Sequence, residues 1–516
     1  MGSLVGDRSV RDFVDAHAAT RPEMPFMIIP GTGFQVNYRE LRTALNSFSN
    51  ALSELGVTHQ QTVSVMMQNS WGSVLVMLGT LYGGRVTAPI NLAAGDPQIA
   101  YVIEHSETTI IFVSPEEEPR LRQILQGVAR PIRVILCNTV TGPVWPVEVT
   151  GTRAAIIDHD NNVDGLLMYT SGTTGKPKGA VLRQRAPLCG GENTVIAHEL
   201  TSADRALLML PLFHINGFCV TLMSTLVGGM SMVVPTRFSV SGFWDQLVTH
   251  ECTWFSAVPT QFQYLLRAAE ADGAPPRDRL TKVRFARSAS APLAPEVHKA
   301  FEELFGLVLI ETMGLTETSA QITSNPMPPG KRKYGSPGMA YGNEVAILRP
   351  ENREVPRMVS GEIAIRGDNV FRVYLKNPEA TAEAFTEDGW FLTGDLGHMD
   401  ADGYLYVTGR RKELIIKGGE NIAPREIDEA LLLHAEVLEA AAFAVPSVNY
   451  GQQVEAAVRL TEGGTVSEAE LLALCRVQVG AFKAPDRVHI LDDLPKGPSG
   501  KVQRMKLAEL IAEMAR

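Results

Sequence analysis

One segment rich in glycine and hydroxyl groups decides the class of this protein: Thr170-Ser171-Gly172-Thr173-Thr174-Gly175-Lys176-Pro177-Lys178. It follows an apolar run at residues 166–169 that predicts a short buried strand. Glycines let the backbone approach a ligand closely, while backbone N–H groups, hydroxyls and lysines bind phosphate oxygens. The Walker A spacing G-x-x-x-x-G-K-[ST] is absent, and Pro177 interrupts any helix that would follow directly. The segment therefore predicts a nucleotide-phosphate loop of another kind.

The composition is that of an ordinary globular protein. The 516 residues predict about two to four domains, and 45% apolar and 20% charged residues are typical of a soluble chain. A net charge of −10 without any Lys/Arg-rich block argues against nucleic-acid binding. The N-terminal residues lack the apolar core of a secretory signal. Five scattered cysteines, none in a C-x-x-C pair, argue against disulfides and zinc and indicate a reducing, cytoplasmic location.

Residues 206–236 carry no Lys, Arg, Asp or Glu and are long enough to cross a membrane. Prolines and glycines divide this stretch into short pieces, however. A strand, loop, helix and strand inside a buried α/β core explain it better than a spanning helix. We therefore predict no integral membrane span.

The pattern of elements predicts an α/β fold with a large and a small domain. Residues 1–409 alternate helices and strands, which implies two helix-covered, mostly parallel sheets, and from Gly361 half-exposed alternating strands predict an antiparallel, β-barrel-like subdomain. Residues 410–516 are predicted to form a small α+β unit. Capping boxes at residues 37–40 and 467–470 predict the starts of two helices, and residues 73–82 predict an apolar helix. The charged triplet Arg410-Arg411-Lys412 at the boundary is expected to be solvent-exposed.

Further motifs follow the phosphate segment in a fixed order. Together they resemble the adenylate-forming superfamily, which includes acyl-CoA synthetases, adenylation domains of peptide synthetases and beetle luciferases. The match extends over essentially the whole chain, and Met313 departs from it where an aromatic residue is usual. The motifs are Pro211-Leu212-Phe213-His214, Arg287-Ser288-Ala289-Ser290-Ala291-Pro292-Leu293, Glu311-Thr312-Met313-Gly314-Leu315-Thr316-Glu317, Thr393-Gly394-Asp395, Thr408-Gly409-Arg410, residues 415–422 and Pro495-Lys496-Gly497-Pro498-Ser499-Gly500-Lys501.

The resemblance implies an ATP site and a catalytic lysine. Thr316 would bond the α-phosphate, Glu317 would hold Mg²⁺, and Lys501 would stabilise charge during adenylation. A carboxylate such as Asp395 accepts both ribose hydroxyls, with Arg410 reaching the ribose from the other side. The implied ATP- and AMP-binding residues are Thr170, Ser171, Gly172, Thr173, Thr174, Lys178, Ser290, Ala291, Pro292, Glu311, Thr312, Met313, Asp395 and Arg410.

The resemblance also implies an acyl pocket, a hinge and a CoA site. His214, expected at the end of a strand, would line the pocket with Arg287, Ser288 and Gly314. Lys412 would be the hinge about which the small domain rotates between adenylation and thioester formation. The implied CoA residues are Gly418, Gly419, Glu420, Tyr450 and Phe482.

The function implied is an AMP-forming carboxylate–CoA ligase that uses ATP, CoA and Mg²⁺. A carrier-protein pantetheine is the alternative acceptor, a luciferase-like oxidation is disfavoured, and a non-catalytic binding homologue is the alternative from another class. Segments 288–292 and 325–326 look most like the oxalate–CoA ligase branch, with fatty-acid and aryl acid ligases next. Small residues such as Gly314 leave room for a bulkier acid, and Arg287 would serve a second carboxylate or be structural.

Overall fold

The computed structural model describes residues 3–146, 149–152, 160–170, 176–349, 352–496 and 502–514. The chain divides into two compact units. The first comprises Met1–Leu293, Val297–Glu344 and Ile365–Phe385, and the second comprises Ala294–Glu296, Val345–Ala364 and Thr386–Arg516. The predicted boundary between residues 409 and 410 stays a prediction.

The strands are numbered in chain order. They are β1 (Pro25–Ile28), β2 (Gln35–Asn37), β3 (Thr62–Met66), β4 (Val86–Pro89), β5 (Ile110–Val113), β6 (Arg133–Asn138), β7 (Gly142–Pro143), β8 (Asp164–Thr170), β9 (Lys178–Arg183), β10 (Arg205–Leu207), β11 (Ser231–Val233), β12 (Trp254–Ala257), β13 (Phe285–Ser288), β14 (Leu309–Leu315), β15 (Ala320–Ser324), β16 (Met339–Ala340), β17 (Glu344–Arg349), β18 (Arg353–Glu354), β19 (Gly361–Arg366), β20 (Val373–Tyr374), β21 (Phe391–Met399), β22 (Leu405–Arg410), β23 (Ile415–Lys417), β24 (Glu420–Ile422), β25 (Val437–Ser447), β26 (Gly451–Leu460) and β27 (Arg487–Ile490).

The helices are numbered in the same way. They are α1 (Val10–Thr20), α2 (Tyr38–Glu54), α3 (Trp71–Tyr82), α4 (Asp96–His105), α5 (Glu118–Leu125), α6 (Arg185–Ala197), α7 (Ser224–Gly228), α8 (Val240–Thr249), α9 (Pro259–Asp272), α10 (Pro295–Phe305), α11 (Pro378–Ala384), α12 (Pro424–Leu432), α13 (Glu468–Lys483) and α14 (Leu507–Met514), with a π-helix at Asn216–Met223 and 3₁₀ turns at Arg277–Leu280, Thr316–Thr318, Arg411–Glu413 and Arg504–Lys506.

Two sheets form the frame of the first unit. One has the strand order β16-β15-β14-β13-β12-β10-β11-β1-β2, and the other has the order β20-β9-β8-β4-β3-β5-β6-β7. Their central strands pair in parallel, and antiparallel strands stand at the ends. Strands β4 and β5 are buried at every position, as expected of apolar strands covered by helices on both faces. The predicted pair of mostly parallel, helix-covered sheets is confirmed.

Local sequence signals explain the helix boundaries. Helix α2 begins at a capping box in which the Asn37 side chain accepts from the Glu40 backbone N–H while Glu40 bonds back to Asn37. Helix α3 is apolar all round, and every one of its residues is buried, which is the pattern of a helix inside a core. Residues 206–236 form β10, the π-helix, α7 and β11 as predicted. Within the described ranges, no helix has both the length and the apolar character needed to cross a membrane.

The second unit contains two further sheets. One has the order β18-β17-β19-β21-β22, and the other has the order β24-β23-β26-β25 with β27 beside β26. Helices α12 and α13 cover the latter sheet with an apolar core that includes Ile427, Leu431 and Leu471. Helix α13 begins at the predicted capping box of Ser467 and Glu470. The five cysteines of the chain are free and buried.

Candidate active site

The phosphate segment connects two strands of a hairpin. Strand β8 ends at Thr170 and β9 begins at Lys178, and these two residues are register partners in an antiparallel ladder. Ser171, Gly172, Thr173 and Thr174 lie outside the described residues. A strand, not a helix, follows Pro177, in agreement with the exclusion of a Walker A loop.

A tyrosine lies between Lys178 and the predicted magnesium ligand. The Lys178 ammonium is 4.9 Å from the centre of the Tyr374 ring. The hydroxyl of the same tyrosine donates to Glu317 Oε1 at 2.9 Å. Glu317 belongs to the 3₁₀ turn Thr316–Thr318 that follows β14, so the structure brings Lys178, Thr316 and Glu317 into one neighbourhood.

Arg287 is a buried cation with neutral partners. Its side chain is 1% exposed. It donates from Nε and Nη2 to Gln321 Oε1 at 3.2 and 3.1 Å, and from Nη1 to Ser256 Oγ at 3.0 Å and Asn216 Oδ1 at 3.3 Å. In the described part of the chain no carboxylate lies within ion-pair distance of it. Burial lowers the pKa of Arg287 to about 9, which leaves the guanidinium charged at neutral pH.

Asn216 connects this cation to the predicted adenine segment. Its Nδ2 donates to Ser290 Oγ at 3.2 Å. Ser290 has φ +73°, a left-handed conformation that costs a non-glycine residue about 1–3 kcal/mol and is concentrated at functional sites. Ala291 and Pro292 follow directly after it.

The motif around β14 is built into the sheet. The Glu311 carboxylate accepts from the Leu293 backbone N–H at 3.3 Å, and Thr312 Oγ1 donates to the Ser288 carbonyl at 3.1 Å. The Ser288 hydroxyl is buried without a hydrogen-bond partner among the residues described. Met313 pairs with Thr323 in the β14–β15 ladder, and the register shifts directly after it, between Met313 and Gly314.

One sequence interpretation needs correction. His214 does not end a strand: β10 ends at Leu207, and His214 closes a turn in which its N–H donates to the Pro211 carbonyl at 3.0 Å. Proline has no N–H with which to continue a ladder. Gly314 is required by the sheet, because a Cβ there would lie 1.9 Å from the Ala320 carbonyl oxygen of the neighbouring strand, and its predicted place in the acyl pocket stays a prediction.

The predicted ribose residues form a direct pair within the second unit. Arg410 Nε donates to Asp395 Oδ1 at 2.6 Å, and the two residues are register partners in β21 and β22. Asp395 is 5% exposed, while Arg410 and the predicted hinge residue Lys412 are exposed.

The predicted CoA residues surround a lysine in the second unit. Gly418 and Gly419, with φ +58° and +87°, form the turn between β23 and β24, and Glu420 begins β24. The Lys417 ammonium donates to the Phe482 carbonyl at 3.0 Å and lies 5.7 and 5.4 Å from the ring centres of Tyr450 and Phe482. Tyr450 and Phe482 are 50% and 43% exposed, so both aromatic residues near this cation are accessible to solvent.

Lys501 lies outside the described residues, but ion pairs hold the chain on both sides of its segment. Before it, Lys496 pairs with Glu439 at 2.9 Å and with Asp493 at 2.8 Å. After it, Arg504 pairs with Asp428 at 2.6 Å and with Glu413 at 3.2 Å. Lys496 and Val502 also form an antiparallel bridge.

Three neighbours of the candidate site are absent from the sequence prediction. Asn216 stands two positions after His214, and an amide at the end of an apolar motif was the available signal. Tyr374 and Gln321 gave no signal, because their contacts depend on pairing between segments distant in the chain.

Comparisons with known proteins identify the family of the chain. The family model described as AMP-binding enzyme matches residues 14–375, and its C-terminal domain model matches 426–501. A sulfoacetate–CoA ligase from Cupriavidus necator is 44% identical over 96% of both chains, and an oxalate–CoA ligase from Arabidopsis thaliana is 35% identical over 90% of this chain and 91% of its own. The ATP-bound MatB structure from Rhodopseudomonas palustris superposes with a TM-score of 0.88 at 29% identity, covering 99% of this chain and 100% of that one.

The chain therefore belongs to the AMP-binding enzyme family, the adenylate-forming superfamily indicated by its motifs. Within that family it is an AMP-forming carboxylate–CoA ligase, an acid–thiol ligase that uses ATP and CoA. The comparisons do not support a carrier protein as the acceptor.

Proposed function

We propose that the acid activated by this ligase is small and carries a second anionic group beside its carboxylate, in the manner of sulfoacetate or oxalate. The observation that carries the proposal is Arg287, a buried guanidinium whose partners are all neutral. A buried charge is stable only when it is paired or well hydrogen-bonded. An anionic substrate group would supply the missing countercharge.

The contrast between Arg287 and Arg85 supports a ligand-binding role for Arg287. Arg85 is also 1% exposed and has neutral partners, but it donates to the Val57 and Gly83 carbonyls and so fixes the backbone around itself. Arg287 donates to side chains alone. One of them, Asn216, also bonds Ser290 of the predicted adenine segment. The Arg287 cluster is thus continuous with the predicted nucleotide site.

The hydrogen bonds of Arg287 leave capacity for a ligand. A guanidinium has five N–H donors, and four of them are used in the bonds to Gln321, Asn216 and Ser256. The buried Ser288 hydroxyl, without a partner among the residues described, is a second donor for the acid. The 44% identity with a sulfoacetate–CoA ligase supports the same class of substrate.

The site residues support a two-step reaction. A carboxylate oxygen attacks the α-phosphorus of ATP and pyrophosphate leaves; the CoA thiol then attacks the acyl adenylate and AMP leaves. Because the carboxylate and the polyphosphate repel each other, positioning and charge neutralisation control the first step. We assign phosphate binding to the segment from Thr170 to Lys178, ribose binding to Asp395 and Arg410, and charge stabilisation to Lys501.

Glu317 fits the role of a magnesium ligand. Mg²⁺ takes one or two carboxylates and completes its shell with phosphate oxygens and water. Glu317 uses Oε1 for the bond from Tyr374, which leaves Oε2 for the metal. When bound, Mg²⁺ would neutralise the charge that develops on the phosphate oxygens. The free cysteines support a reducing compartment, for which we propose the cytoplasm.

A substrate panel tests the proposal. Sulfoacetate and oxalate would be compared with propionate and acetate in an ATP- and CoA-dependent pyrophosphate-release assay. We expect kcat/KM to favour the dianionic acids, and Arg287→Met to lower it at least about 100-fold for sulfoacetate while changing it little for propionate. Arg85→Met is the matched control for removal of a buried arginine, and Arg287→Lys serves if Arg287→Met does not fold. Preference for monoanionic acids, or an equal loss with both classes, would contradict the proposal.

A further inference from the structure

We propose that Tyr374 keeps the Lys178 ammonium and the Glu317 carboxylate apart, so that the first remains available for phosphate and the second for Mg²⁺. Tyr374 is then a positioning residue of the ATP site. The inference rests on the roles proposed above for Glu317 and Lys178.

Both charged groups contact the same aromatic side chain. The Tyr374 hydroxyl donates to Glu317 Oε1 at 2.9 Å, and the ring centre is 4.9 Å from Lys178 Nζ. Among the residues the structure describes, Lys178 and Glu317 make no ion pair with each other within 4.0 Å. The three side chains are each partly exposed, so ligands can reach them.

The backbone around Tyr374 fixes the ring in this place. Strand β20 pairs with β9, with Tyr374 opposite Ala180, two positions from Lys178. The Tyr374 N–H donates to Thr381 Oγ1 at 3.0 Å. The Phe371 N–H donates to the Glu317 carbonyl at 2.7 Å, and the Phe371 ring lies 4.7 Å from that of Tyr374. The same short segment therefore holds both the hairpin and the turn that carries Glu317.

A tyrosine suits this role because it attracts both charges without neutralising either. Its ring face attracts an ammonium, and its hydroxyl donates a charge-assisted hydrogen bond to a carboxylate. Without it, an ammonium and a carboxylate on adjoining segments would attract each other directly. Such an ion pair would compete with phosphate for the lysine and with Mg²⁺ for the glutamate.

The test measures binding in the full-length protein. The thermal stabilisation given by ATP would be titrated with Mg²⁺ in the unaltered chain, Tyr374→Phe and Tyr374→Leu. We expect Tyr374→Phe, which keeps the ring, to raise the half-saturating Mg²⁺ concentration about 5- to 10-fold. Tyr374→Leu should also reduce ATP binding without Mg²⁺, because Lys178 can then pair with Glu317.

Tyr82 offers a matched control. Its hydroxyl donates to Asp15 Oδ1 at 3.0 Å, and the Arg11 guanidinium lies 4.4 Å from its ring centre, so Tyr82→Phe removes the same kind of bond on α3. It should lower the melting temperature without changing the Mg²⁺ titration. Equal titrations for Tyr374→Phe and the unaltered chain would overturn the inference.

Glu317→Gln separates this inference from the proposed function. If Glu317 binds Mg²⁺, Glu317→Gln weakens the Mg²⁺ dependence, and adding Tyr374→Phe changes it no further. If Glu317→Gln leaves the Mg²⁺ dependence intact, the assignment of Glu317 as a metal ligand is wrong. If it weakens that dependence while Tyr374→Phe does not, the role of Tyr374 alone is wrong.

Discussion

Arg410 donates from Nε to Asp395 Oδ1 at 2.6 Å across the β21–β22 hairpin, where the two residues face each other in register. The pair fixes one carboxylate oxygen of a nearly buried aspartate. The second oxygen, Oδ2, keeps its acceptor capacity for a ribose hydroxyl. The arginine therefore orients the carboxylate from within the same hairpin, and its predicted contact with the ribose stays a prediction.

Asp395→Asn is expected to raise the KM for ATP about 10- to 100-fold, because an amide loses the charge-assisted bonds to Arg410 and to the ribose. Steady-state kinetics with ATP as the varied substrate measure the change. Glu344→Gln is the control, since it breaks an exposed pair with Arg366 and should leave the KM unchanged. An unaltered KM in Asp395→Asn would contradict a role in ribose binding.

Lys501→Ala should abolish adenylation and leave thioester formation from supplied acyl adenylate nearly intact. The reason is that the resemblance assigns this lysine to the first half-reaction and the turn at Gly418–Gly419 to the second. Pyrophosphate release and CoA consumption measure the two steps separately. The exposed Lys506 provides the control Lys506→Ala. Equal losses in both steps would refute a rotation about Lys412.

Arg504→Lys should slow adenylation more than thioester formation. Arg504 follows the Lys501 segment in the chain. Its guanidinium donates to the Asp428 and Glu413 carboxylates and to the Ala442 carbonyl. A lysine ammonium cannot reproduce this planar set of hydrogen bonds. Urea unfolding should also show a loss of about 2–3 kcal/mol. The control is Arg487→Lys, whose pair with Glu468 is exposed. If both half-reactions fell in proportion to stability, Arg504 would be structural only.

Glu302 should contribute stability that depends on pH. Burial acts to raise its pKa, but the His298 ring, whose Nε2 lies 3.7 Å from Oε1, and hydrogen bonds from the Leu309 backbone N–H and the Tyr334 hydroxyl outweigh this and lower the pKa to about 2. A depressed carboxyl pKa gives stability that is present above the unfolded value of 4.5 and is lost as pH falls toward 2. Glu302→Gln should thus cost on the order of 2 kcal/mol at pH 7. Urea unfolding should show that the difference in unfolding free energy between Glu302→Gln and the unaltered chain shrinks below about pH 4.5. A difference that stays constant with pH would contradict the prediction.

Local patterns in the sequence predicted much of the fold. The capping boxes at Asn37 and Ser467 and the apolar run of α3 depend on neighbouring residues, and the structure confirms them. The prediction for His214 was wrong because β10 ends at Leu207, and Pro211, which has no N–H, begins the turn that His214 closes. The steric constraint on Gly314 comes from Ala320 on the paired strand, which the local sequence does not show.

The candidate site could be predicted from the sequence as a set of motifs but not as a set of contacts. The motif order predicts roles for Lys178, Glu317 and Arg287 without showing which residues contact them. Tyr374 contacts Glu317 because β20 pairs with β9, a strand distant in the sequence. Gln321 on β15 contacts Arg287 on β13, with β14 between the two strands. Such contacts follow from sheet order, which periodicity does not encode.

The pairing of β20 with β9 also bears on how the protein is made. Val373 pairs with Val181, so the ribosome must complete most of the first unit before the outer edge of β9 has its partner. Until then β9 is an open edge, a template for pairing with other chains. A product truncated before residue 373 would retain that edge and lack the hydroxyl that bonds Glu317. Chains that stall or are cleaved before residue 373 should therefore aggregate. ATP should stabilise only chains that are synthesised beyond residue 373.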